Sequence, residues 1–203
     1  MTRAFPVGRT GIEPVTSCLS SKRSPAELTP RTPSILPNHT SHRAPHNRAV
    51  ESSVTIRPEG FDAPDSLVLR AELAAELDEI YSTDSEPGAK PTAADTPVFL
   101  IARDERGNPV GCGGLRPIDE TTVEIKRMFV RRAARGRGIA QVILQSLETE
   151  AAGLGARRVV LETGRGQPEA IRLYENNGYT PIECFGSYRG APLSLCFESF
   201  LDC

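Results

Sequence analysis

A glycine-rich turn between a strand pattern and a helix pattern constrains the fold of this chain more than any other feature. Residues Arg135–Ala140 read Arg-Gly-Arg-Gly-Ile-Ala. They follow an alternating pattern over residues 122–130, which predicts a strand, and open an amphipathic run from Ile139 to Leu154, which predicts a helix. Glycines let backbone N–H groups approach a ligand, and first-turn helix amides carry partial positive charge. The turn is therefore predicted to bind a phosphate group.

The spacing within the turn narrows the choice of phosphate ligand. A Walker A loop ends in Gly-Lys-Ser/Thr, which this turn lacks. A Rossmann fingerprint needs Gly or Ala where this sequence has Gln141. The pattern Arg-x-x-Gly-x-Ala, carried by Arg135, Gly138 and Ala140, resembles the pyrophosphate loop of the GCN5-related N-acetyltransferases, which bind acetyl-CoA. On its own, the turn fits an ordinary strand-to-helix connection with a solvated basic run equally well.

A second segment repeats the resemblance further along the chain. Leu161-Glu162-Thr163 closes a short apolar strand, and Pro168–Tyr179 follows it with the pattern Pro-Glu-Ala-x-x-Leu-Tyr-Glu-x-x-Gly-Tyr. Proline suits the first position of a helix and glycine suits the position just past its end, so this is a short, well-delimited helix. The segment resembles the second half of the acetyltransferase fold. With two motifs in the right order, residues 54–203 are identified as a member of this family.

The resemblance implies a mixed α/β fold with the element order β-α-β-β-β-α-β-α-β-β. The central sheet is expected to be mostly antiparallel, with two splayed parallel strands and helices on both faces. The family usually has two helices between its first two strands. Here one helix, capped by Asp65 and running to about Ser82, is followed by a loop over residues 83–97. Since this region normally shapes the acceptor pocket, the acceptor is the least constrained expectation.

The resemblance also implies where acetyl-CoA, the expected co-substrate, would bind. The pantetheine arm would lie between the splayed strands, and a backbone N–H of the first strand would polarise the thioester carbonyl. The acetyl group would pass directly to an amine, without a covalent enzyme intermediate. The implied binding residues are Met128, Phe129 and Val130 on one strand, Thr163 on the other, and Arg135, Gly136, Arg137, Gly138, Ile139 and Ala140 in the turn.

Two side chains are candidates for proton transfer. Tyr174 matches the family tyrosine that protonates the departing thiolate, and the alternative is a core tyrosine with a satisfied hydroxyl. Glu124 matches a glutamate that deprotonates the amine in some members, and the alternative is an ordinary charge pair on a strand. Regular alternation would put Glu124, Lys126, Met128 and Val130 on the same face of the sheet.

Cysteines and histidines are poorly placed for other chemistry. The chain has five cysteines and three histidines, with no Cys-x-x-Cys pair, and every histidine lies within residues 1–53. We therefore expect no metal site, no disulfide framework, and no Cys-His or Ser-His-Asp catalysis. Cys112, Cys184 and Cys196 are interpreted as small buried apolar residues.

The first 53 residues differ in composition from the rest. They carry a formal charge of +4, whereas residues 54–203 carry −6, and they are rich in proline, serine and threonine. We interpret them as a disordered leader; a basic arm for nucleic acid or a membrane is the alternative, but stacking aromatics are missing apart from Phe5. Residues 8–17 resemble the translated reverse strand of a transfer-RNA gene. The native chain is therefore expected to begin at Val54, from an alternative start codon.

Several expectations about location and partners complete the picture. No apolar run approaches the ~20 residues that span a bilayer, and the first residues carry no signal-like segment, so we expect a cytoplasmic protein. The expected partner is a small-molecule amine, without nucleic acid or membrane, and the expected state is a monomer or homodimer. The alternatives are a non-catalytic acyl-CoA-binding module of the same fold and an acetyltransferase acting on protein or peptide amines.

Overall fold

A computed structural model describes residues 54–81 and 87–201 of the chain. Its element order is the predicted one, and α1 begins one residue before the expected cap Asp65. The predicted leader, residues 1–53, lies outside the described residues. The elements are β1 (Thr55–Pro58), α1 (Pro64–Tyr81), β2 (Val98–Arg103), β3 (Pro109–Pro117), β4 (Thr122–Val130), α2 (Ile139–Gly153), β5 (Arg158–Gly164), α3 (Pro168–Asn176), β6 (Thr180–Ile182) and β7 (Ser194–Phe200).

The strands form one seven-stranded sheet in the order β1-β2-β3-β4-β5-β7-β6. The β4–β5 pair is parallel and the other neighbours are antiparallel, which confirms the predicted mixed sheet. One face is covered by α2, whose Ile143 and Leu147 pack with Val123 and Leu161. The other face is covered by α1, whose buried leucines pack with aromatic residues of β2 and β4. In the described part of the chain, no helix is long and apolar enough to cross a membrane.

A β-bulge interrupts β4 at its centre. Cys112 of β3 pairs with Phe129, whereas Gly114 pairs with Lys126, so β4 holds one residue more than its partner. The extra residue is Arg127, which has a positive φ of 57°. Such a backbone conformation is unfavourable for a residue with a side chain, and it changes the alternation of side chains along the strand.

The bulge makes one sequence prediction wrong. Val130 belongs to the core under α2 and Met128 packs against that core, but before the bulge the same core contains Val123 and Ile125. Glu124 and Lys126 therefore do not share a face with Met128 and Val130. The prediction assumed uninterrupted alternation, and the additional residue at Arg127 reverses the pattern for the rest of the strand.

Beyond the bulge, the two parallel strands separate. Pairing between β4 and β5 runs from Thr122↔Arg158 to Ile125↔Leu161 and then stops. From there β4 continues along β3 to Val130, and β5 continues along β7 to Gly164. This splayed end, predicted from the resemblance, leaves a gap in the centre of the sheet.

A disulfide joins Cys184 to Cys196, with their Cα atoms 5.1 Å apart. The expectation that both are simple apolar residues is therefore wrong. Ile182 of β6 pairs with Cys196 of β7, so Cys184, two residues later, is brought next to its partner by strand pairing. Their separation of 12 residues gave no local signal of this contact. Cys112 is a free buried thiol, as expected, and burial raises its pKa to about 12.

Candidate active site

The glycine-rich turn joins the splayed end of β4 to α2. Gly136 and Gly138 both have a φ of 75°, in the left-handed region that favours glycine. Gly138 is the N-cap residue of α2, and no side chain caps this helix end. Because the first amides of a helix lack partners within the helix, the first turn of α2 presents backbone donors to an anion.

The arginines around the turn are tied to α1. Arg132 and Arg135 share Glu76, and the carboxylates involved recur along α1 at helical spacing, so they form one acidic stripe. The pairs are Arg131–Glu72 (2.7 Å), Arg132–Glu76 (3.1 Å), Arg132–Glu79 (2.6 Å) and Arg135–Glu76 (2.7 Å).

Arg135 also supports the end of β4. Its Nε donates to the backbone carbonyl of Val130 at 2.9 Å, so the side chain bridges the strand end and α1. Its guanidinium is thus directed toward α1 and the strand, which is a structural role that the sequence motif did not indicate. Arg137, by contrast, is an exposed residue of the same turn.

A cavity of about 530 Å³ lies beside the gap, between α1 and the separating ends of β4 and β5. A volume in this range suits a small ligand. The structure brings the predicted residues Met128, Thr163 and Tyr174 together in its wall. The ionisable side chains in its lining are Arg70, Asp78, Tyr81, Lys90, Lys126, Arg127, Glu162 and Tyr174.

Tyr174 lies in α3 with only 6% of its surface exposed. Its hydroxyl contacts Met128 Sδ at 3.8 Å, so the ring spans from α3 to β4. Burial, with the charge of Glu162 as a smaller cause, raises the pKa of Tyr174 above its ordinary value. The phenol is therefore protonated at neutral pH and able to donate a proton into the cavity.

Glu124 is completely buried and held by three side chains. Arg116 donates to its Oε2 at 3.0 and 2.6 Å, the Tyr188 hydroxyl donates to its Oε1 at 2.8 Å, and Lys126 Nζ lies 3.5 Å from the same oxygen. Glu124 is absent from the cavity wall, which Lys126 does line. The structure thus does not bring Glu124 together with Tyr174, and its role as the base stays a prediction.

The terminal loop, between Ile182 of β6 and Ser194 of β7, packs one tyrosine against Glu124. Tyr188 is 2% exposed and donates to Glu124, and Lys126 Nζ donates to its hydroxyl. Burial raises the pKa of Tyr188 to about 12. Arg189, the next residue of the loop, is exposed.

Glu162 is a cavity residue that sequence reasoning quoted only as part of a motif. Its carboxylate accepts a hydrogen bond from Ser194 Oγ at 2.7 Å, and the side chain lines the cavity next to Thr163. The alternation of side chains along the strands could have identified Glu162 as a cavity residue. Glu124 pairs with Val160, so Glu162, two residues further along β5, faces the same side of the sheet as Lys126.

Comparison with known proteins agrees with this architecture. The model of the acetyltransferase (GNAT) family matches residues 68–179, more than half of the chain. The chain belongs to this family.

Two curated relatives share sequence with the chain. An IAA acetyltransferase of Azospirillum brasilense is 42% identical over 101 residues, 49% of this chain and 65% of the relative. The uncharacterized N-acetyltransferase YjgM of Escherichia coli K12 is 32% identical over 110 residues, 53% of this chain and 60% of the relative. The chain thus spans less than two thirds of the length of either relative.

Solved structures share the fold. A crystal structure from Klebsiella pneumoniae subsp. pneumoniae, assigned as an acyl-CoA N-acyltransferase, superimposes with a TM-score of 0.66 at 28% identity, covering 74% of this chain and 99% of that one. A GNAT acetyltransferase from Elizabethkingia anophelis with acetyl-CoA bound gives 0.52 at 21% identity, covering 74% and 100%. At this lower identity the likeness concerns the fold alone.

Proposed function

We propose that this protein transfers an acetyl group from acetyl-CoA to the primary amine of a small molecule. The observation that carries the proposal is the gap between β4 and β5, which connects an uncapped helix N-terminus to a cavity containing a buried tyrosine. Membership of the family supports acetyl transfer. The neighbour with acetyl-CoA bound supports the choice of donor.

The residues along the gap suit the donor. The edge of β4 beyond Ile125 is not paired with β5, and backbone groups of Met128–Val130 would bind the pantetheine amides there. The first-turn amides of α2, preceded by Gly136 and Gly138, would bind the pyrophosphate. Since Arg135 is engaged with Glu76, the backbone rather than this guanidinium would supply the main contacts to the phosphates.

Direct transfer requires one proton to leave the amine and one to reach the thiolate. The amine nitrogen attacks the thioester carbonyl, the new C–N bond forms and the C–S bond breaks. Tyr174 would donate its phenolic proton to the departing sulfur, for which its raised pKa keeps it protonated. Glu124 stays a predicted base. A proton would have to reach it through the hydrogen bonds from Lys126 to Tyr188 and from Tyr188 to Glu124.

The test is thiol release from acetyl-CoA by the full chain, offered amino acids, polyamines, aminoglycosides and a lysine peptide in parallel. We expect release that depends on an acceptor from the small-molecule groups and that falls in Tyr174→Phe. The matched control is Tyr179→Phe. That neighbouring buried tyrosine donates to Glu148 at 3.0 Å and does not line the cavity.

Binding of acetyl-CoA is measured separately, as the shift it causes in the thermal unfolding midpoint. Stabilisation without release for any acceptor would favour a non-catalytic acyl-CoA-binding module. Absence of stabilisation would contradict the proposal altogether. Release with the lysine peptide alone would point to a protein or peptide acceptor instead.

A further inference from the structure

We infer that the acceptor carries a carboxylate as well as its amine, as an amino acid does, with the carboxylate bound by Arg70 and Arg127 and the amine facing Glu162. This inference rests on the proposed function, because it assigns the substrate class of the same cavity. It is carried by the placement of Arg70, Lys126 and Arg127 on the α1 and β4 sides of that cavity and of Glu162 on the β5 side; Asp78 and Lys90 also line it.

The bulge in β4 creates the basic wall. In a regular strand, Lys126 and Arg127 would point to opposite faces of the sheet. Here the core under α2 takes Ile125 before the bulge and Met128 after it, so the bulge leaves both cations on the α1 side, where they line the cavity. The positive φ of Arg127 is the backbone conformation that places two consecutive cations on one side. Such unfavourable conformations persist where the surrounding structure imposes them, and they cluster at functional sites.

Arg70 of α1 faces this wall from across the cavity. Its guanidinium stacks 3.7 Å above the Phe61 ring and donates to the Phe61 carbonyl at 3.1 Å, which fixes its position. Its Nε is buried and has no hydrogen-bond partner among the described residues. Burial has the largest influence on the pKa of Arg70 and lowers it. The charge of Asp62 raises the pKa and the charge of Arg127 lowers it, and the net result is a lowered pKa.

Two guanidinium groups that line one cavity offer donors to one anion, and Arg70 pairs in addition with Asp62 at 3.5 Å. An anion within reach of both would stabilise both charged forms, and a carboxylate matches the planar donor geometry of a guanidinium. Lys126 Nζ lies 3.5 Å from the Glu124 carboxylate. We therefore expect Lys126 to add positive potential to the cavity wall, while the two arginines make the main contacts with the carboxylate of the acceptor. The basic wall is therefore suited to the carboxylate of an acceptor.

The acidic wall lies on the other separating strand. Glu162 of β5 is oriented by Ser194, whose hydroxyl donates to its carboxylate at 2.7 Å. It is close enough to Tyr174 for its charge to contribute to the raised pKa of the phenol. An amine that approaches the thioester beside Tyr174 would meet this carboxylate, which attracts the ammonium form. The two walls thus orient an acceptor with opposite charges at its two ends.

The test uses acceptors that differ only in the carboxylate. Amino acids are compared with their carboxamides and with the amines that lack the carboxyl group, by thiol release from acetyl-CoA with the full chain. Hydrogen bonds to charged groups contribute about 1.5–3 kcal/mol, so we expect kcat/KM to be about 10-fold or more higher for the carboxylate acceptors. Arg127→Gln is expected to remove most of this preference, because it lowers kcat/KM for the carboxylate acceptors far more than for the carboxamides.

Two further variants make the result decisive. Arg70→Gln is expected to act like Arg127→Gln, and it serves if the latter does not fold. Arg189→Gln, an exposed change in the terminal loop, is the matched control and is expected to keep the preference. Equal or better use of the carboxamides and simple amines, or no release with any carboxylate acceptor, would overturn the inference.

Failure of the inference is distinguishable from failure of the proposed function. Thermal stabilisation by acetyl-CoA reports on the donor site without any acceptor. If acetyl-CoA stabilises the protein and amines without a carboxylate are preferred, the proposed function stands and the assignment of the acceptor is wrong. If acetyl-CoA does not stabilise it, the proposed function fails first.

Discussion

Glu124 and Glu162 lie on neighbouring strands and face the same side of the sheet, yet their surroundings are opposite. Glu124 is in the half where β4 and β5 are hydrogen-bonded, opposite Val160, and is 0% exposed. Glu162 comes just after the last pair, Ile125↔Leu161, where the strands separate, and it lines the cavity. The difference shows that position relative to the gap decides which carboxylate can reach a substrate.

The paired half buries charge that must be compensated there. Removing a carboxylate from water is costly unless hydrogen bonds and opposite charges replace the lost hydration. Glu124 has both, from Arg116, Lys126 and Tyr188. The same contacts orient Lys126 at the cavity wall and anchor the terminal loop through Tyr188. In the paired half the carboxylate stabilises structure, whereas in the splayed half it lines the cavity.

The largest expected effect is a loss of stability caused by a substitution in the half of the sheet where β4 and β5 are hydrogen-bonded. Glu124→Gln removes the charge that compensates Arg116 and Lys126, and breaking a buried ion pair in this way costs about 3–5 kcal/mol. We expect the free energy of unfolding, measured by urea denaturation, to fall by about this amount. Glu162→Gln is the matched variant on the next strand and is expected to change it by less than about 1 kcal/mol. An intact stability together with lost turnover would instead support Glu124 as the base.

The second effect concerns the proton donor in the splayed half. Tyr174→Phe removes the phenolic proton but keeps the ring, so we expect kcat to fall about 10²-fold with little change in stabilisation by acetyl-CoA. Tyr179→Phe, whose ring centroid lies 5.7 Å from that of Tyr174, reports the effect of losing a buried hydroxyl nearby. Equal losses in both variants would assign Tyr174 a structural role alone.

The third effect tests the carboxylate at the cavity. Glu162→Gln keeps an oxygen that accepts from Ser194 but removes the charge that faces the acceptor amine. We expect kcat/KM for the acceptor to fall about 10-fold or more, at unchanged stability. Glu183→Gln, an exposed change between β6 and β7, is the control. Retained kcat/KM in Glu162→Gln would show that Glu162 does not contact the amine.

The sequence predicted the features that are local. Alternation, a glycine-rich turn and a proline-to-glycine helix are each encoded within about a dozen residues, so the element order was predictable, whereas the splayed strands followed from the resemblance to the family. The acidic stripe on α1 was not predicted, because its pairing with Arg131, Arg132 and Arg135 depends on where α1 lies relative to the turn.

The features that were missed depend on contacts between distant segments. Nothing near Arg127 marks it as a bulge, since the extra residue is defined by its register with β3. The bulge in turn decides which side chains line the cavity. The Cys184–Cys196 bond depends in the same way on the pairing of β6 with β7. Long-range register is what a single sequence does not encode in any local pattern.

The smallest expected effect concerns the pH dependence of kcat, which we expect not to change on the alkaline side. It again distinguishes Glu124 from Glu162. Burial is the main cause that raises the pKa of Tyr174 above 10.0, and the charge of Glu162 is the lesser cause. The phenol therefore stays protonated throughout the assay range, and turnover should not fall on the alkaline side below pH 10. Glu162→Gln removes the lesser cause only, so the alkaline side should keep its shape while the overall rate falls. We would measure kcat against pH for the wild type and both Gln variants. A rate that falls on the alkaline side near neutral pH would mean that a group other than Tyr174 donates the proton. If this fall shifted along the pH axis in Glu124→Gln but not in Glu162→Gln, the hydrogen-bonded chain from Lys126 through Tyr188 to Glu124 would take part in the reaction.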